Sequence, residues 1–138
     1  PLGHIGITLL FSKLIFKKLG KNCSTKLIII GSLLPDLLDK PLGLLGIGPG
    51  RYIFHSLVFM FLFSFISNEL FLGVLFHLIL DRMWNYPNIL FFPFFGVEIT
   101  GKYEFFDIIE FFLKDRYSQV GELCGFLCLL IGKLKKVF

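Results

Sequence analysis

At 138 residues the chain has room for one domain and not comfortably for two. Hydrophobic residues make up 55% of it, charged residues 17%, and 19 positions are Phe, more than a soluble core of this size can bury, so an ordinary water-soluble domain is excluded in favour of a chain solvated by lipid. The net charge of +4 comes from lysines at segment ends, with no basic stripe interleaved with stacking aromatics, which argues against nucleic acid and for contact with anionic membrane lipids.

The first apolar segment, residues 5–19, lacks a basic n-region and a small-residue cleavage site, and its lysines follow the apolar run. It therefore reads as a mature helix rather than a signal peptide. Gly20 and Asn22 end it, and Ser24 or Thr25 caps a second helix over 27–38. Pro41, Gly43, Gly46, Gly48, Pro49 and Gly50 then mark a loop, after which a third helix is predicted over 52–67. Asn68 and Glu69 separate it from a fourth over 70–80, which ends before Asn85, Tyr86, Pro87 and Asn88. Pro93 and Gly96 make the segment 89–97 irregular or re-entrant. From Tyr103 to Arg116, Glu104, Asp107, Glu110 and Lys114 recur at helical spacing among Phe and Ile, the pattern of a helix lying on the membrane interface. A last helix is predicted over 123–134; its Cys124 and Cys128 sit in a purely apolar run and read as packing thiols, and with Cys23 they form no C-x-x-C pair.

No segment reaches 18 uninterrupted apolar residues, and a 16-residue helix spans about 24 Å against a hydrocarbon core of about 30 Å. Helix ends are thus expected near the membrane interface. The fold class predicted is all-α: a multi-pass integral membrane bundle of short helices forming one domain over 1–138, with a core in 1–95 and an interfacial helix and a C-terminal helix in 96–138. Lys17, Lys18, Lys21 and Lys26 lie at the end opposite Lys40, Arg51 and Arg82, which by the positive-inside rule turns the latter end outward.

All three histidines and three carboxylates fall in or beside these apolar segments: His4, Asp36, Asp39, His55, His77 and Asp81. If the first four helices run up and down, all six lie at one membrane level. Ionisable groups in such a place are costly and face one another or a polar cavity. His77 and Asp81 are four apart, so on a helix they share a face and can chelate one ion. Three imidazoles and three carboxylates suffice for two metals about 3.5–4 Å apart.

Leu34-Pro35-Asp36-Leu37-Leu38-Asp39, Arg51-Tyr52-Ile53-Phe54-His55-Ser56 and Gly73-Val74-Leu75-Phe76-His77-Leu78-Ile79-Leu80-Asp81 occur in that order. Over residues 1–95 this resembles the membrane-bound metal-dependent hydrolases, also described as LexA-binding inner-membrane hydrolases, whose pattern is an early His, Leu-Pro-Asp-x-Asp, Arg-x-x-x-His-Ser and Gly-x-x-x-His-x-x-x-Asp. Asp39 stands one residue later than in many members, and Gly50 replaces a His. The order is more distantly similar to zinc-dependent phospholipase C.

The function expected is a membrane-embedded metal-dependent hydrolase of a phosphoester or phospholipid-like substrate. His77, Asp81, His55 and Asp36 are the first-rank ligands, with His4 and Asp39 second. The mixed imidazole and carboxylate set favours Zn²⁺, with Mn²⁺ or Fe²⁺ as alternatives, over Mg²⁺ or Ca²⁺. Arg51 is expected to hold a phosphate, and Ser56 either to orient a ligand or to cap the third helix. Two rivals remain: a metal or ion transporter, and a non-catalytic membrane regulator that the metal locks together.

Overall fold

The computed structural model describes residues 2–95, 106 and 113–137. Helix α1, Leu2–Lys18, ends in a turn in which Lys21 N–H donates to the Phe16 carbonyl and Gly20 N–H to that of Lys17, with Gly20 at φ 66. The left-handed residue closes the helix by satisfying its last carbonyls, and glycine adopts it without a Cβ clash. Lys17 and Lys18 then face the negative end of the helix dipole.

Helix α2, Thr25–Leu44, is capped by Ser24, whose Oγ accepts from Leu27 N–H. It runs six residues beyond the predicted end and contains both Pro35 and Pro41. The expectation that Pro41 opens the loop was wrong: an internal proline costs a helix about 3 kcal/mol, and the packing of α2 against α4 outweighs that. The stop comes instead at Gly46, at φ 80, with Gly46 N–H donating to the Gly43 carbonyl and Ile47 N–H to that of Leu42.

The predicted third helix is also broken. Residues Ile53–His55 form a single 3-10 turn, Ser56 is extended (φ −100, ψ 156), and α3 covers only Leu57–Ser64. The cause is Asp39 on α2, whose carboxylate accepts from the backbone N–H groups of Tyr52 (2.7 Å) and Phe54 (3.1 Å) and so holds this stretch out of helical register. Ser67, not Asn68, caps α4, Asn68–Leu80; Asn68 and Glu69 form its first turn. A one-turn helix α5, Pro87–Leu90, and turns to Phe95 occupy the irregular segment. Helix α6, Arg116–Leu134, starts two turns before the predicted position, where Asp115 accepts from Ser118 N–H at 2.8 Å. The predicted interfacial helix lies almost wholly outside the described residues.

Met60, Val74, Leu78 and Met83 form the buried apolar core between α3, α4 and the turn that follows. Two crossings elsewhere are built on glycine. A Cβ on Gly73 of α4 would stand 2.7 Å from Gly31 Cα of α2, and one on Gly6 of α1 or Gly125 of α6 would run into the other helix's backbone. Small residues that let backbones meet are the usual means of joining helices in lipid, where apolar side chains gain little from leaving their solvent. A Cβ on Gly121 meets nothing within 4 Å. Gly121→Ala is therefore expected to leave thermal unfolding in detergent unchanged or raise it, since Ala favours a helix by about 1 kcal/mol over Gly, whereas Gly125→Ala should lower it clearly. Equal melting temperatures for the two variants would count against backbone contact between α1 and α6.

Among the described residues no helix is long and apolar enough to cross a membrane. The outer surface is nevertheless strongly apolar: Phe65 is 88% exposed, Phe94 79% and Leu134 82%. Exposed hydrophobic side chains in such density mark contact with lipid or partner surfaces.

Candidate metal centre

Three elements bring four donors together. The middle of α2 supplies Asp36, the 3-10 turn before α3 supplies His55, and the end of α4 supplies His77 and Asp81. One ligand atom from each lies within 4.8 Å of all the others. His55 Nε2 is 3.2 Å from His77 Nε2, 3.6 Å from Asp36 Oδ1 and 3.6 Å from Asp81 Oδ2; His77 Nε2 is 3.9 Å and 3.8 Å from the same two oxygens. Ligands of a tetrahedral Zn²⁺ stand about 3.3–3.6 Å from one another. The His55 separations are close to that spacing and those of His77 to the carboxylates are a few tenths of an ångström wider, so the set is a candidate for one four-coordinate ion.

Two of the atoms that face this point are among the buried side-chain oxygens without a hydrogen bond. Asp36 Oδ1 and Asp81 Oδ2 are buried and accept no hydrogen bond, although Arg51 Nε approaches the latter at 2.9 Å in an ion pair without hydrogen-bond alignment. An orphaned buried carboxylate oxygen is expensive, and two of them converging on two imidazole nitrogens fit a cation.

Each imidazole is oriented from behind. His55 Nδ1 lies 2.6 Å from Asp39 Oδ2, and His77 Nδ1 lies 2.7 Å from the Ser32 carbonyl oxygen. Both partners are acceptors, so each ring donates its Nδ1–H, and the Nε2 atoms, 3.2 Å apart and sharing a proton in the metal-free cluster, are the ones that would turn lone pairs to an ion. The Ser32 carbonyl sits next to that of Gly31, which Pro35 deprives of its helical donor. Both imidazoles are fully buried.

The remaining predicted residues surround the four. Asp39 is also buried, and its carboxylate is taken up by Tyr52 N–H, Phe54 N–H and His55 Nδ1–H; it aligns a ligand and does not join the four. His4 Nε2 is 2.8 Å from Asp81 Oδ1, so it buttresses the outer oxygen of that carboxylate. Arg51 lies in the bend before the 3-10 turn, not one helical turn ahead of His55 as its spacing implied, and pairs with Asp81. Of the two roles expected for Ser56, the structure shows the cap: its Oγ accepts from Phe59 N–H at 3.2 Å and donates to the Ile53 carbonyl at 2.7 Å.

Three participants were not anticipated. Lys40 Nζ lies 2.6 Å from Asp36 Oδ2, one turn along α2. Tyr117 of α6 donates to the Leu80 carbonyl beside Asp81, and Arg82 stacks on its ring at 3.5 Å. The i,i+4 spacing of Asp36 and Lys40 was a readable signal for the first; nothing local signals the others, which depend on α6 docking against the end of α4.

The fold and this cluster define a protein that is helical, without strands, among its described residues and carries a candidate two-histidine, two-aspartate metal-binding group. The chain belongs to the YdjM inner membrane protein family, whose model matches residues 1–134, and the family associates it with the membrane. No curated protein and no solved structure matches it.

Proposed function

We propose that the protein is a membrane-embedded, multi-pass metal-dependent hydrolase acting on a phosphoester or phospholipid-like substrate. The observation that carries this reading is the convergence of Asp36 Oδ1, Asp81 Oδ2 and the two histidine Nε2 atoms within 4.8 Å of one another, with neither carboxylate oxygen accepting a hydrogen bond. Asp36, His55, His77 and Asp81 would hold the ion, and two imidazoles with two carboxylates suit Zn²⁺ first and Mn²⁺ or Fe²⁺ next. Bound there, it supplies Lewis acidity for the scissile group and lowers the pKa of water to the neutral range. Asp39 and the Ser32 carbonyl keep the Nδ1 protons in place, so neither ring has to change tautomer. Arg51, partly exposed at the edge of the cluster, offers a planar fork that matches two phosphate oxygens.

Elemental analysis of protein extracted gently, without chelators, is expected to give one equivalent of a transition metal; a stoichiometry near zero would remove the centre. Arg51→Lys should then lower the hydrolysis of phosphomonoesters or phosphodiesters by about tenfold or more at matched metal occupancy, since Lys is a point charge and not a fork. Equal activity on every substrate cleaved would sink the role of Arg51. Cleavage of none would move the reading to another ester, an amide or no enzyme.

A second reading, an ion pathway, is favoured by one observation. Thr8 and Ser12 are fully buried with unpartnered hydroxyls and stand one and two turns along α1 from His4. Ser32 and Ser64 are committed to the carbonyls of Ile29 and Phe61. Metal-dependent flux into proteoliposomes that Thr8→Val with Ser12→Ala abolishes would favour transport over hydrolysis.

A further inference from the structure

The border of the centre carries two cations, and each is paired with a different ligand carboxylate. Lys40 Nζ meets Asp36 Oδ2 at 2.6 Å, and Arg51 Nε meets Asp81 Oδ2 at 2.9 Å. Both side chains are partly open, at 35% and 29% exposure, while the two ligand histidines behind them are fully buried. The cations also belong to neighbouring stretches of chain. Asp39, which precedes Lys40, accepts the backbone N–H of Tyr52, which follows Arg51, at 2.7 Å. The turn carrying Arg51 is thereby tied to α2 beside Lys40.

Charge explains why two cations would stand there. With a divalent ion bound, Asp36, Asp39 and Asp81 would contribute three negative charges to this group, Lys40 and Arg51 two positive ones, and the two imidazoles, neutral as ligands, none. The group then becomes net positive by one, in a setting where burial weakens screening. A centre meant only to store a metal would be neutralised more simply without the second cation. A lysine paired through one donor retains two more N–H groups, and an arginine presents a fork.

We infer that Lys40 and Arg51 together form an anion subsite over the metal centre, whose ligand is a phosphate group, carried by a lipid or free in solution. The inference rests on the metal-centre reading and adds Lys40 as a substrate-positioning residue. It needs binding alone, so it stands or falls separately from hydrolysis. In this arrangement Lys40 holds Asp36 in the metal-free protein and shares its remaining donors with the phosphate when the ion is in place.

The test is a titration of Co²⁺-loaded protein in maltoside detergent with inorganic phosphate, followed through the visible bands of the ion. Wild type should bind phosphate only when loaded, and Lys40→Gln should weaken that affinity by about tenfold, the size of one charged hydrogen bond. Lys40→Arg should restore most of it. Metal stoichiometry is measured on every variant, so a misfolded protein is recognised by its lost cobalt, and Lys40→Arg then carries the comparison through any difference in phosphate affinity. Unchanged phosphate affinity in Lys40→Gln at full cobalt occupancy would overturn the proposal and leave Lys40 as a partner of Asp36 alone, as would phosphate binding to metal-free protein with the same affinity. Nanodiscs with and without phosphatidic acid identify the source of the group. Competition between that lipid and inorganic phosphate, lost in Lys40→Gln, assigns the subsite to a lipid headgroup; titration unaffected by the lipid assigns it to a soluble phosphate. Phosphate binding that depends on Lys40 in a protein that hydrolyses nothing would uphold the subsite and remove the hydrolase.

Discussion

His77→Ala and Asp81→Ala should each abolish high-affinity metal binding, and the double variant should be little worse than either alone. The two side chains leave the same end of α4, with Nε2 and Oδ2 3.8 Å apart, and both face His55 Nε2, so each loss takes one corner from a single four-donor set. Residues that act as a unit show grossly non-additive losses, because once one is gone the other has nothing left to support. The effect should also reach stability. In the loaded protein the ion joins α2, α4 and the turn before α3, so chelation is expected to lower the melting temperature of wild type and leave either variant unmoved. Competition against a chromophoric chelator measures the affinities. Small, additive losses would mean that His77 and Asp81 do not share an ion.

Asp39 should matter almost as much, although it touches no metal in this arrangement. Asp39→Ala leaves Tyr52 N–H, Phe54 N–H and His55 Nδ1–H without their acceptor in a buried place, at about 1–3 kcal/mol for each unsatisfied donor. The turn that positions His55 is expected to lose its shape. Asp39→Asn is the more informative change. Its amide can accept from some of these groups but turns one N–H₂ towards the rest, and if that faces Nδ1 the His55 proton moves to Nε2, the atom that should hold the ion. We expect Asn to keep the fold and to weaken metal binding by about 10–100-fold, the usual size of losing a residue behind a ligand. Helical circular dichroism together with a metal titration separates the two effects. Wild-type affinity in Asp39→Asn would show that His55 does not depend on this carboxylate for its tautomer.

What the sequence determined by itself was the helical, lipid-compatible character of the chain and the residues of the candidate cluster. Lipid-compatible composition, short apolar segments and the meeting of histidines and aspartates from successive elements follow from residue order, because a helix has a fixed rise and short loops force neighbours to reverse, although Asp36 and Asp39 lie inside α2 and not at its end as expected. His77 and Asp81 could be paired from spacing alone, since i and i+4 share a helix face. Tertiary structure decided what each of the six touches. The sequence ranked Asp36 ahead of Asp39, and the structure supplies the physical reason: one turns an oxygen without a hydrogen bond to the cluster while the other is consumed by the backbone of Tyr52 and Phe54. That difference arises because Asp39 meets a turn sixteen residues away from its own position in the chain, at His55, and three-dimensional hydrogen bonding of this kind leaves no periodicity to read. The same contact broke the predicted third helix and set Arg51 beside Asp81. Pro41 and Pro35 likewise advertise breaks that packing overrides, because a local penalty of about 3 kcal/mol is smaller than what a well-packed helix face supplies. The glycines at 3, 6, 31, 73 and 125 were in plain view, but only the crossings show which of them let two backbones touch. Gly121 lies on the same helix as Gly125, one turn earlier, yet a Cβ added to it meets nothing within 4 Å.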